Sequence, residues 1–188
     1  WVDGADPAWQ ARRDAALRDC GQPPLAQSAN QGRYADHDEL RYSLRSLRLY
    51  APWVRKVWLV TDEQVPDWLR LDRPDLEVVF HKQIFGDAAA LPVFNSHAIE
   101  AQLHHIDGLA EHFLYLNDDV FLGRPLLPQH FFEPNGLSKF FPSRAKVPPG
   151  PVDPATDIPS SAAGKNNRRL IERDFGIRLV TKMKHTPH

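Results

Sequence analysis

The run Phe113-Leu114-Tyr115-Leu116-Asn117-Asp118-Asp119-Val120-Phe121-Leu122 constrains the fold most. Four apolar or aromatic residues lead straight into Asn-Asp-Asp, and three more apolar residues follow. A short run rich in aromatic residues is expected to be a buried strand. Carboxylates at its end would emerge where open α/β sheets bind their ligands. Two adjacent carboxylates repel each other unless a cation lies between them. Hard divalent ions take oxygen ligands, and Mg²⁺ is commonly held by one or two carboxylates together with substrate phosphates. The run therefore suggests a metal and phosphate site at a strand end, built on the adjacent carboxylates of Asp118 and Asp119. A plain polar turn accounts for the same residues, since Asn and Asp favour turns.

Two further strands are expected at Val57-Trp58-Leu59-Val60-Thr61 and Leu76-Glu77-Val78-Val79-Phe80-His81. Trp1-Val2 reads as the end of another, with Asp3-Gly4 as the turn that follows it. Helices separate these segments. Asp6 followed by Pro7 is a helix start that runs to about Cys20, where Gly21 and Pro23-Pro24 end it. In residues 38–50, Leu40, Leu44 and Leu47 form a buried stripe. Arg41, Arg45 and Arg48 repeat that spacing as a basic stripe suited to phosphate, or simply to water. A helix opening at Asn95 or Ser96 and ending at Gly108 buries Ile99, Leu103 and Ile106. His97, Glu100 and His104 share another of its faces, although their spacing is not the HExxH of a zinc site. Strands alternating with helices predict an α/β fold with a mainly parallel mixed sheet flanked by helices.

The C-terminal part differs in composition. Residues 142–159 hold six prolines and read as an extended linker or loop after a core of 1–141. A short strand is expected at Phe140-Phe141. A last helix over about 160–174, capped by Ser160 or Ser161 and stopped by Gly176, belongs to a segment 160–188 that ends on His185-Thr186-Pro187-His188. The formal net charge of −1 hides an asymmetry. Residues 1–143 carry 14 Lys and Arg against 20 Asp and Glu, and residues 144–188 carry 9 against 4. A basic tail beside an acidic body suits an anionic substrate next to a metal, and equally suits a solvated helix. One cysteine excludes an internal disulfide framework. No apolar run reaches the roughly 20 residues of a membrane span. Nucleic-acid binding is not expected from a slightly negative chain without a recognition motif.

Several uncommon strings occur in an order that resembles the Stealth proteins. This family includes bacterial capsular-polysaccharide phosphotransferases and the catalytic subunit of the animal N-acetylglucosamine-1-phosphotransferase. The matching strings are Trp1-Val2-Asp3-Gly4-Ala5-Asp6, Asp38 to Ser46 with Ala51-Pro52-Trp53-Val54, Leu91 to Glu100, Leu116 to Val120, and His185-Thr186-Pro187-His188. The strand usual before the first string and the basic block usual after the last are absent. So are the large inserts of the animal enzyme. A bacterial-type member is therefore expected, with the chain truncated and part of its active site elsewhere.

The resemblance implies a nucleotide-sugar-binding fold of the glycosyltransferase-A type. It also implies transfer of a sugar 1-phosphate, N-acetylhexosamine by analogy with relatives, from a UDP-sugar to a saccharide hydroxyl. The products would be a phosphodiester and UMP, in capsule or exopolysaccharide synthesis. By the same resemblance Asp119, Asp118 and Asn117 would hold Mg²⁺ or Mn²⁺. Trp1, Asp3, Gly4 and Asp6 would help hold the nucleotide. Arg33 and Arg41 would contact the pyrophosphate, and Glu100 would bind sugar or support the metal. His185 would be the base, with Asn95, Ser96, His97 and His188 lining the substrate site. The expected location is cytoplasmic or peripheral at the inner membrane, or the Golgi lumen for an animal-type member, with homo-oligomerisation left open. The rival expectations are a metal-dependent glycosyltransferase that releases UDP and a non-catalytic nucleotide-sugar-binding domain.

Overall fold

The structure, a computed structural model, describes residues 1–19, 35–141 and 147–176. Its strands are β1 (Val57–Thr61) and β2 (Leu76–Phe80), which pair in parallel with Val57 opposite Leu76 and Thr61 opposite Phe80. Parallel neighbours require a crossover connection, and both strands consequently end on the same edge of the sheet. Residues of both strands are buried, Leu59 and Thr61 in β1 and Val79 in β2. With the helices around it, this small sheet makes the chain α/β.

Helix α1 (Pro7–Asp19) begins as its sequence requires. The Asp6 carboxylate accepts from the Ala8 backbone N–H at 2.9 Å, and Pro7 occupies the first turn, where a missing N–H costs nothing. Trp9 is 1% exposed and meets Phe94 edge to face, with centroids 5.4 Å apart. Helix α2 (Glu39–Tyr50) buries Leu40 and Ser43. A second core cluster joins Val79, Ile84, Leu103 and Ile106, with Trp58, Val60, Phe85, Ile99 and Leu109 against it.

Several elements depart from expectation. Phe113 to Leu116 form no strand. Leu114 and Leu116 are half-buried while Phe113 and Tyr115 face out. Just beyond it, hydroxyls of α2 do what a neighbouring strand would have done. Ser43 Oγ donates to the Val120 carbonyl at 2.7 Å, and the Leu122 N–H donates to Ser46 Oγ at 2.9 Å. Trp1-Val2 is likewise not a strand, since one hydrogen bond from the Trp1 nitrogen to the Val60 carbonyl, 2.9 Å, is not a ladder. β2 stops at Phe80, and His81 opens the short helix α3 (His81–Ile84). The helix expected from Asn95 to Gly108 is broken into α4 (Ser96–Glu100) and a 3₁₀ turn at Leu103–His105. The apolar spacing survives the break, because Leu103 and Ile106 still reach the core. His104 therefore does not share a helical face with His97 and Glu100, and instead packs on His105, centroids 3.9 Å apart.

The chain's contacts divide it into two units, Trp1–Pro128 and Gln129–His188. In the second, Phe140-Phe141 form no strand, and among the described residues there the extended pairing is a single antiparallel bridge between Phe132 and Ser138. Helix α5 (Pro159–Phe175) starts one turn position earlier than its serines suggest. Ile158 is the cap residue and Pro159 begins the helix, so neither Ser160 nor Ser161 caps it. Gly176 ends it at φ 61°, a left-handed conformation that glycine adopts without strain.

Candidate functional site

The first six residues form a tied turn at the carboxyl end of β1. The Asp3 N–H donates to Gln64 Oε1 at 2.8 Å, and Gln64 Nε2 donates to the Asp3 carbonyl at 3.1 Å and to Asp6 Oδ2 at 2.9 Å. Asp3 Oδ1 also accepts from the Ala5 N–H at 2.8 Å, and the buried Gly4 offers its carbonyl to Gln10 Nε2 at 2.7 Å. Hydrogen bonds from Gln64 and Ala8 hold the Asp6 carboxyl below its ordinary value, so it stays ionised.

The Asn117-Asp118-Asp119 segment is a turn closed by the Val120 N–H on the Asn117 carbonyl at 3.2 Å. Tyr115 joins this turn to α4: its hydroxyl lies 3.1 Å from Glu100 Oε1 and 2.7 Å from Asn117 Oδ1. Burial pushes the phenol of Tyr115 up, and the charges of Glu100, Asp118 and Asp119 push the same way. Asp36 is pushed up mainly by burial, against the Asp38 N–H bonded to it at 2.9 Å.

Glu100 and Asn117 are joined through Tyr115, Asp3 and Asp6 are joined through Gln64, and both groups belong to the unit Trp1–Pro128. Asn95 Oδ1 accepts from the His97 N–H at 3.0 Å and caps α4, the helix that carries Glu100. Ser96 is the first residue of that helix, and His97 the second. Arg41 lies over the Trp68 ring, 4.9 Å from its centroid, and 3.4 Å from Asp38. The rest of the basic stripe also meets partners, Arg45 over Tyr42 and Arg48 on Asp75 at 2.8 Å. Arg33, His185 and His188 lie outside the described residues.

Among the described residues, no three of His, Cys, Asp and Glu converge as a ready-made metal cage. Asp118 and Asp119 nevertheless offer two hard oxygen donors, a set that Mg²⁺ accepts when substrate phosphates complete its shell.

Residues 33–140 match the family described as Stealth protein CR2, conserved region 2. The chain belongs to the Stealth family. It is 60% identical over its whole length to an exopolysaccharide phosphotransferase of Streptomyces coelicolor, of which it covers 31%. It is 58% identical to a second exopolysaccharide phosphotransferase of that organism, again covering 31% of the relative. Over 99% of its length it is 42% identical to the exopolysaccharide phosphotransferase CpsY of Mycobacterium tuberculosis, of which it covers 34%. This Stealth chain therefore spans about a third of the length of these curated relatives.

The family match encloses α2, both strands, α4 and the acidic turn, whereas the Trp1-to-Asp6 turn precedes it. Three neighbours of the candidate site carry no signal in the sequence alone. Gln64 lies in an ordinary loop after β1, and only its contacts with Asp3 and Asp6 mark it. Tyr115 reads as an apolar strand residue until its hydroxyl is placed. Asp36 precedes a helix and looks like one more capping candidate, as acidic residues before helices usually are. A second group at the strand ends was also missed. Arg12 Nη2 meets Asp62 Oδ2 at 3.0 Å, and the buried His81 has Nδ1 3.8 Å from Asp62 Oδ1. Burial lowers the pKa of His81, and Asp62 opposes this only in part.

Proposed function

We propose that this Stealth chain forms the donor-binding part of a sugar-1-phosphate transferase. The donor is a UDP-sugar, N-acetylhexosamine in particular, and the acceptor is a saccharide hydroxyl of a growing exopolysaccharide or capsule. The observation that carries the reading is the meeting of the acidic turn with Glu100 through Tyr115. The printed names of the relatives, exopolysaccharide phosphotransferases, support it. A glycosyltransferase-A-like arrangement, of which the parallel pair would be the centre, goes with the same reading.

Phosphoryl transfer asks mainly for positioning and for charge neutralisation. Asp118, Asp119 and Asn117 would hold Mg²⁺ or Mn²⁺, which when bound would offset the diphosphate's charge. The turn from Trp1 to Asp6, fixed by Gln64, orients the nucleotide. Arg41 would contact the pyrophosphate with a planar two-pronged donor, and by the family resemblance so would Arg33. Glu100 binds the sugar or supports the acidic turn, and Asn95, Ser96 and His97 line the site; by the family resemblance His188 would take part in substrate binding. His185 takes the proton of the acceptor hydroxyl as its oxygen bonds the β-phosphorus. The bond from that phosphorus to the bridging oxygen breaks, and the nucleoside monophosphate leaves.

The test is incubation of the intact protein with UDP-N-acetylhexosamine, Mn²⁺ and an acceptor saccharide, with products identified by mass. UMP and a phosphodiester are expected, and Asp119→Ala and His185→Ala should each abolish them. UDP as the product would make the protein a glycosyltransferase instead. Donor binding without turnover would make it a binding domain.

A further inference from the structure

We infer that Tyr115 is a positioning residue that sets the side-chain amide of Asn117 for cation binding. The inference rests on the proposed reading of the acidic turn. A phenol has one hydrogen, while its oxygen here faces two acceptors, Glu100 Oε1 at 3.1 Å and Asn117 Oδ1 at 2.7 Å. A carboxylate has no hydrogen to offer, so one of the two close oxygen pairs is unbonded with the amide in this orientation. Exchanging the amide's O and N resolves both contacts, and the two atoms are distinguishable only by such networks. Asn117 Nδ2 then donates to the Tyr115 oxygen, and the Tyr115 hydrogen goes to Glu100. The carbonyl oxygen of Asn117 is turned away from the ring. It becomes a third hard oxygen beside Asp118 and Asp119, on a turn already closed by the Val120 N–H.

In this chain of hydrogen bonds Glu100 acts through Tyr115 as an acceptor. Its charge is secondary to that role. Partners of this outlying kind commonly change metal affinity by about 10- to 100-fold when removed. Tyr115 is 48% exposed, so losing its hydroxyl leaves the ring's packing largely as it was.

The experiment is calorimetric titration of Mn²⁺ into the intact protein and its variants, with thermal melting as a control. Tyr115→Phe should bind Mn²⁺ about tenfold more weakly at an unchanged melting temperature. Glu100→Ala, which removes the acceptor, should bind about tenfold more weakly than Glu100→Gln, which keeps one. The glutamate pair carries the test if Tyr115→Phe does not fold. Unchanged Mn²⁺ affinity in Tyr115→Phe overturns the inference and leaves the transferase reading standing. Equal losses in the two Glu100 variants also overturn it, because charge alone then matters. If the unaltered protein binds no Mn²⁺, both the inference and the metal-dependent reading fall.

Discussion

Ser43 Oγ donates to the carbonyl of Val120, 77 residues further along the chain, at 2.7 Å. Ser43 is 7% exposed and sits on α2, so this bond fixes the exit of the acidic turn to a helix. The bond is part-buried, and losing a typical intramolecular hydrogen bond costs about 0.5 to 1.5 kcal/mol. Ser43→Ala should lower stability by that amount in urea denaturation. Arg45→Ala, at an exposed position of the same helix, should change it by less than about 0.5 kcal/mol. Equal effects would mean that the bond to Val120 contributes nothing particular.

Gln64 makes three hydrogen bonds to Asp3 and Asp6. Leucine has similar reach and none of the polar atoms. Gln64→Leu should loosen the N-terminal turn and raise KM for the nucleotide-sugar about tenfold, the worth of about 1.4 kcal/mol of binding. The turnover number should change less, because the turn is assigned to holding the nucleotide. Steady-state kinetics on the intact protein separates the two parameters. A fall in the turnover number at constant KM would contradict that assignment.

His81 gives the fold a pH dependence whose sign is fixed. Its pKa is lowered in the folded chain, chiefly by burial. The unfolded chain therefore binds more protons below the ordinary histidine value of about 6.5. The stability from neutral His81 is complete above about pH 6.5 and is lost as pH falls through the folded pKa. Denaturation midpoints should drop between about pH 7.5 and about pH 5.5, where most carboxylates stay ionised. In His81→Gln the drop should be smaller. An equal drop in both proteins would assign it to other groups.

Gly164 lies inside α5, where alanine is ordinarily favoured by about 1 kcal/mol. Here an added Cβ would stand 2.9 Å from Val147 Cγ2 and 3.2 Å from Cγ1. Overpacking of this kind costs about 1 to 3 kcal/mol, which outweighs the helical gain. Gly164→Ala should therefore destabilise the protein, and Gly164→Ala combined with Val147→Ala should restore it. Chemical denaturation of the single and double variants decides between propensity and clash.

Local rules carried much of the fold. Asp6-Pro7 and Gly176 mark helix ends because capping is settled by a residue and its nearest neighbours. The strands at residues 57–61 and 76–80 follow from short β-branched and aromatic runs. The sequence by itself also determined family membership, through strings such as Leu116 to Val120 that the match to residues 33–140 encloses. Tertiary structure decided what those strings touch. The apolar run before Asn117 looks like a strand, but a strand needs a partner whose position no local pattern states. Here α2 supplies serine hydroxyls just beyond the run, and no ladder forms. The bonds that assemble the candidate site, Gln64 to Asp3 and Tyr115 to Glu100, link segments 61 and 15 residues apart. They exist only because packing brings separate elements together. Hydrogen bonds need approach to within about 3 Å, a distance that three-dimensional packing sets and residue order alone does not.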